Sequence, residues 1–129
     1  MGSHRLDNRR RDERVPLDMF FTQYIRERPF RVLAVNVSEN GIAARRLVEP
    51  LTTHARVVGI EFELPGTSEV IWAKAETQFE AIDRDFHHLG IRFLAMAGRH
   101  ERLLRDYVRE RQLRASAWWR HHVRVAFAS

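Results

Sequence analysis

Residues 30–47, FRVLAVNVSENGIAARRL, decide the fold because they hold two β-rich runs on either side of a turn. The runs 30–37 and 41–47 are rich in residues that favour strands, whereas Asn, Ser and Gly between them favour turns. Near the end of the first run, Asn36 carries a side-chain carbonyl. Ser38 carries a hydroxyl two positions later, and Gly41 suits a positive-φ position. The segment therefore predicts two antiparallel strands joined by a tight turn.

The same alternation of short β-rich runs and turn signals extends along most of the chain. Arg28-Pro29, Leu64-Pro65-Gly66 and Asp83–Asp85 supply the other breaks. Six short strands at this spacing are typical of a mainly β fold, a six-stranded antiparallel β-barrel that is closed or nearly closed. The predicted strands are 15–24, 30–37, 41–47, 55–63, 69–83 and 87–95.

Apolar side chains on these strands are the candidates for the barrel core. In the fifth strand, residues from Val70 to Ala81 alternate between a mostly polar face and a mostly apolar face. Inside a closed barrel we expect Ile60, Phe62, Phe79, Phe93 and Leu94.

The two ends of the chain differ from the middle in pattern and in charge. Residues 1–14 carry five Arg and three acids without apolar periodicity, which predicts a flexible basic arm. Residues 15–96 form the predicted barrel. From residue 97 to about 124, apolar residues recur at helical spacing in a stretch with eight Arg and three acids, which predicts a helix that covers the barrel or docks a partner. Trp72, Trp118 and Trp119 favour core or interface positions.

Several classes of function lack the residues that they need. The 129-residue chain has no cysteine, which excludes disulfides and thiol chemistry and fits a cytoplasmic location. It shows no nucleophile elbow or phosphate-binding glycine loop. Two adjacent histidines cannot both face the same metal ion, because neighbouring side chains diverge on a strand or a helix. This applies to the pairs His87-His88 and His121-His122. We therefore expect no enzyme activity, no metal, no cofactor, no secretory leader and no membrane insertion.

Two motifs taken together point to a ligand. Taken alone, the arginine run is better explained as a solubilising tail, and Asn36–Gly41 as an ordinary β-turn. Together and in this order, the two motifs resemble those of the PilZ domain family. Arg-x-x-x-Arg stands directly before the first strand, and Asn-x-Ser-x-x-Gly stands between the next two strands. The arm matches at Arg10 and Arg14, with Arg9 as a basic neighbour, and the turn matches at Asn36, Ser38 and Gly41. A weaker match is Gly90-Ile91-Arg92-Phe93 on the last strand, so the likeness spans about residues 9–95.

The resemblance implies a cytoplasmic receptor of the bacterial second messenger cyclic di-GMP. Arginine suits this ligand because its guanidinium forks onto phosphate, bonds guanine O6 and N7, and stacks on the base. The binding residues would be Arg9, Arg10, Arg14, Asn36, Ser38 and Gly41, with Arg45, Arg46 and Arg92 as further candidates. Ordering of the arm on binding would pass the signal to a protein partner.

Two other interpretations of the sequence predict a different partner for the protein. A PilZ-like adaptor would act on motility or surface-structure machinery without nucleotide, although an adaptor need not keep the arginine pair. A general nucleic-acid binder would use the basic ends, but no basic patch interleaved with aromatic residues lies on the strands, so no DNA or RNA partner is expected. Oligomeric state, including a homodimer, stays open.

Overall fold

Six antiparallel strands close into a barrel with the order β1-β2-β3-β6-β5-β4. The computed structural model describes residues 13–47 and 56–128, with side chains described to residue 118. The predicted fold class is confirmed. The elements are β1 (Val15–Ile25), β2 (Arg28–Val37), β3 (Gly41–Leu47), β4 (Val57–Glu63), β5 (Val70–Asp83), β6 (Phe86–Met96) and the helix α1 (Gly98–Ala128).

The hairpin between β1 and β2 turns earlier than the sequence predicts. The turn lies at Arg26 and Glu27, which have φ of 51° and 69°, and Pro29 pairs with Tyr24 inside the ladder. The prediction of a break at Arg28-Pro29 is therefore wrong. Two consecutive positive-φ residues match the twist of a tight hairpin, although neither residue type favours that conformation.

Alternating side chains of all six strands fill the barrel, and β-bulges decide where the alternation fails. Ile60 and Phe62 are buried as predicted, and Phe93 packs against the core. The core prediction is wrong for Phe79, which is 60% exposed, because the β5–β6 register shifts between Thr77 and Phe79 and reverses the faces. It is also wrong for Leu94, whose neighbour Phe93 already faces inward.

Helix α1 covers one end of the barrel. Leu104, Tyr107 and Val108 are buried with the strand residues in one core cluster, while Leu113 and Trp118 are exposed beyond it. The helix therefore contributes to the core through its first three turns. The side chain of Trp119 lies outside the described residues.

An aromatic pair covers a glycine on the outer barrel wall. Trp72 stacks on Tyr24 with ring centroids 5.8 Å apart, and a Cβ at Gly59 would lie 3.0 Å from the Trp72 ring. The Tyr24 hydroxyl donates to Glu61 at 2.9 Å, and this hydrogen bond raises the pKa of Tyr24. Trp72 is half exposed and so is a surface residue rather than a core residue.

Candidate ligand-binding site

The turn between β2 and β3 is held by the Ser38 side chain. Its Oγ accepts the backbone N–H groups of Asn40 and Gly41 at 3.1 and 3.2 Å, and the Ser38 N–H donates to the Gly41 carbonyl at 2.9 Å. Ser38 is fully buried, so in this conformation its hydroxyl shapes the turn and does not face solvent. Direct contact between Ser38 and a guanine would need the turn to open, and it stays a prediction.

Gly41 is required for a different reason from the one that its position suggests. A Cβ on Gly41 would lie 2.1 Å from the carbonyl oxygen of Ile91, whereas its φ is not positive. The Phe93 N–H donates to the Asn40 carbonyl at 2.8 Å beside it. The expectation of a positive φ is therefore wrong. Glycine lets the turn approach the backbone of β6.

A β-bulge directs Asn36 outward. On β2, Val32 and Ala34 face the core, so strict alternation would turn Asn36 inward as well. Val35 is the extra residue between the pairs Ala34↔Ala44 and Asn36↔Ala43. The bulge restores Val37 to the core and leaves Asn36 partly exposed on the outer wall.

The two motifs meet in space at Arg14. This residue directly precedes β1, where Pro16 pairs with Asn36. Its Nη1 donates to the Oδ1 of Asn36 at 3.1 Å, across 22 positions of sequence. Arg9 and Arg10 lie outside the described residues.

The three additional arginines differ in their relation to the turn. Arg92 pairs with Gly41 and is exposed beside it, and Arg45 is exposed on the outer face of β3 over the ring of Phe86. Arg46 instead donates to the Oε1 of Gln23 at 3.2 Å, roughly 17 Å along β3 from Gly41. The fold therefore brings Arg92 to the turn and keeps Arg46 away from it.

Side chains on the wall between these residues are small, so little projects from it. Asn36 pairs with Ala43, and Ala43 pairs with Gly90 on β6. Phe79 borders this strip, since a Cβ added to Gly90 would lie 3.1 Å from the Cβ of Phe79. The shape suits the face of a planar ring system.

Helix α1 contacts both halves of the candidate site, a feature that sequence reasoning missed. Gln112 donates to Glu13 at 2.8 Å, next to Arg14, and Arg105 lies 3.8 Å from the carboxylate of Glu39 in the turn. These contacts join positions 99 and 66 residues apart. The high arginine content of the helix was visible, but no local pattern indicates where its side chains lie.

Other chemistry has less support within residues 13–47 and 56–128. His87 is buried with its Nε2 3.6 Å from Glu80, yet these residues hold no group of three side chains suited to a metal ion. In the same part of the chain, α1 lacks the length of apolar sequence needed to cross a membrane.

Comparisons with known proteins agree with this fold. The family model described as PilZ domain matches residues 8–110. The inhibitor of motility MotI/DgrA of Bacillus subtilis has a similar structure, with a TM-score of 0.65, 22% identity, and coverage of 81% of this chain and 52% of that one. The PlzA protein of Borreliella burgdorferi, solved in complex with c-di-GMP, gives a TM-score of 0.57, 16% identity, and coverage of 82% and 44%. The chain thus spans about half the length of these two proteins, and no curated protein matches it.

Proposed function

Because this chain belongs to the PilZ domain family, a family that binds cyclic di-GMP, we propose that it is a receptor for this dinucleotide. The contact between Arg14 and Asn36 carries the proposal, because it unites the two motifs in one place. Cyclic di-GMP presents two phosphates and two guanines, and a guanidinium beside an amide can serve both kinds of group.

Ligand binding would replace the hydrogen bond between Arg14 and Asn36. The Asn36 carbonyl would accept from the Watson–Crick edge of a guanine, and Arg14 would turn onto a phosphate or a base. Arg9 and Arg10 would close over the ligand from the arm, with Arg92 beside the turn. Because the Arg14–Asn36 bond is exposed, its exchange changes the free energy of the protein by only about 1 kcal/mol.

Calorimetry with cyclic di-GMP tests the proposal. Arg14→Ala should weaken binding about 100-fold, because a charge-assisted contact contributes about 1.5–3 kcal/mol. The thermal midpoint of the ligand-free variant should stay near that of the wild type. Arg28→Ala is the matched control, since Arg28 is exposed at the opposite end of β2. Unfolding of ligand-free Arg14→Ala, or unchanged binding, would contradict the assignment.

The signal would pass to a protein partner through the arm and α1. Closure of the arm on the ligand would move Glu13 and Arg14 and so act on the Glu13–Gln112 and Glu39–Arg105 contacts, which link the site to the helix. Cleavage by trypsin after Arg9, Arg10 and Arg11 should therefore slow when cyclic di-GMP is added. Equal cleavage rates with and without ligand would remove this mechanism.

A nucleotide-independent adaptor is the second candidate, favoured by exposed apolar residues on the outer wall. PilZ domains are receptor and adaptor domains rather than enzymes. Phe79 is 60% exposed, and the cross-strand pair Leu47 and Phe86 is also exposed. If this wall is the active surface, Leu47→Ser, at the far end of β3 from the turn, should abolish any effect of the protein on bacterial swimming while Arg14→Ala retains it. The opposite pattern supports the receptor.

A further inference from the structure

A groove of about 540 Å³ separates the start of β1 from helix α1. This volume lies within the range of about 300–1,000 Å³ that small-molecule sites occupy. Arg14 lines it from the start of β1, and Arg111 and Ala115 line it from the helix. The lining consists of Glu13, Arg14, Val15, Pro16, Arg111, Gln112, Arg114 and Ala115.

The groove is continuous with the site proposed above. Arg14 lines it and also donates to Asn36, while Pro16 lines it and pairs with Asn36. A ligand with two phosphates and two bases that touches Asn36 would therefore extend towards the helix.

The helix holds two cations at fixed positions beside Arg14. Arg111 and Arg114 are three residues apart and so lie on neighbouring positions of one helix face. Val108, one turn before Arg111, is buried in the core and anchors this part of α1. The backbone positions of Arg111 and Arg114 are therefore set before any ligand arrives, which lowers the entropic cost of binding.

The existing partners of these two arginines are weak enough to exchange. Arg111 lies over the ring of Tyr107 at 5.1 Å, and within the described part of the chain no carboxylate pairs with it. Arg114 donates to Glu110 at 2.6 Å, but both side chains are more than 60% exposed, so the pair contributes little to stability. A phosphate can replace such partners without leaving a buried charge.

We propose that Arg111 and Arg114 form the second cationic wall of the site and bind the phosphodiester groups of the nucleotide that Arg14 and Asn36 hold. The inference rests on the proposed function and adds a binding surface from α1. It gives the ligand direct contact with the helix as well as with the arm.

The test compares two double variants of the full chain in calorimetry with cyclic di-GMP. Arg111→Ala with Arg114→Ala should weaken binding about 10- to 100-fold, and its affinity should depend less on ionic strength. Arg102→Ala with Arg109→Ala removes the same charge from the same helix, outside the groove, and should bind like the wild type. Arg111→Lys with Arg114→Lys should bind more tightly than the alanine variant but less tightly than the wild type, since lysine keeps the charge but loses the planar fork. Circular dichroism and thermal midpoints check that each variant is folded.

Each result separates this inference from the function on which it rests. If the groove variant binds like the wild type while Arg14→Ala does not, the helix wall is refuted and the receptor function stands. Equal weakening of both double variants would show a general effect of net charge and would also refute the wall. Failure of the wild-type chain to bind cyclic di-GMP would instead remove the proposed function, and this inference with it.

Discussion

Substitution of Gly41 by alanine tests the packing that positions the candidate site. The added Cβ would lie 2.1 Å from the Ile91 carbonyl oxygen, whereas real Cβ contacts essentially never fall below 3.0 Å. Because the obstacle is backbone, no side-chain rotation relieves it, and β3 must move away from β6 by about 1 Å. Overpacking of this kind costs about 1–3 kcal/mol. Loss of the neighbouring Phe93–Asn40 hydrogen bond adds about 1 kcal/mol.

We therefore expect Gly41→Ala to lower the free energy of unfolding by about 2–4 kcal/mol, which for a domain of this size lowers the thermal midpoint by roughly 10 °C. Urea denaturation followed by circular dichroism measures the first quantity, and a thermal melt measures the second. Gly98→Ala is the matched control, since its Cβ would meet only the end of Arg102 at 3.8 Å. A Gly41→Ala protein as stable as the control would refute the close approach of the two strands.

Three further substitutions test local features of the fold. Ser38→Ala should destabilise the protein by about 2 kcal/mol in urea denaturation, because two backbone N–H groups lose their buried acceptor; a change below 0.5 kcal/mol would contradict this role. Asn-Gly in place of Arg26-Glu27 should raise stability by about 1 kcal/mol, since both positions have positive φ, and an unchanged denaturation midpoint would count against the hairpin geometry. Glu61→Gln should return the raised pKa of Tyr24 towards 10.0 in an absorbance titration at 295 nm, because the carboxylate acceptor and its charge are removed. A titration curve identical to that of the wild type would show that the hydrogen bond to Glu61 is absent in solution.

The strands were predictable because each carries its own pattern of alternation and its own turn signal. The turn at Leu64-Pro65-Gly66 is the simplest example. Gly66 has a φ of 83°, and the Thr67 N–H donates to the Leu64 carbonyl and closes the turn. The position of the turn at Arg26-Glu27 was missed because tertiary pairing imposes a conformation that these two residue types do not favour.

The errors in the site and core predictions come from bulges and from contacts between distant segments. One extra residue in a ladder exchanges the two faces, which exposes Phe79 and also turns Asn36 outward. No pattern in a single strand reveals its register with a neighbour. The reason for Gly41 likewise lies on β6, 50 positions away.

The fold brings together two basic segments that composition shows only as separate ends of the chain. Arg14 and the helix pair Arg111 and Arg114 line one groove, and clustered like charges destabilise a protein unless counter-charges offset them. Exposed carboxylates supply this offset: Glu13 accepts from Gln112, and Glu110 pairs with Arg114. Such pairs are weak, so a ligand with two phosphates competes with them at little cost in stability. If the proposed site is correct, the anion that occupies the groove, either the Glu13 carboxylate or the nucleotide, determines how the start of β1 contacts α1. The Arg-rich helix would then sense the ligand and not only cover the barrel.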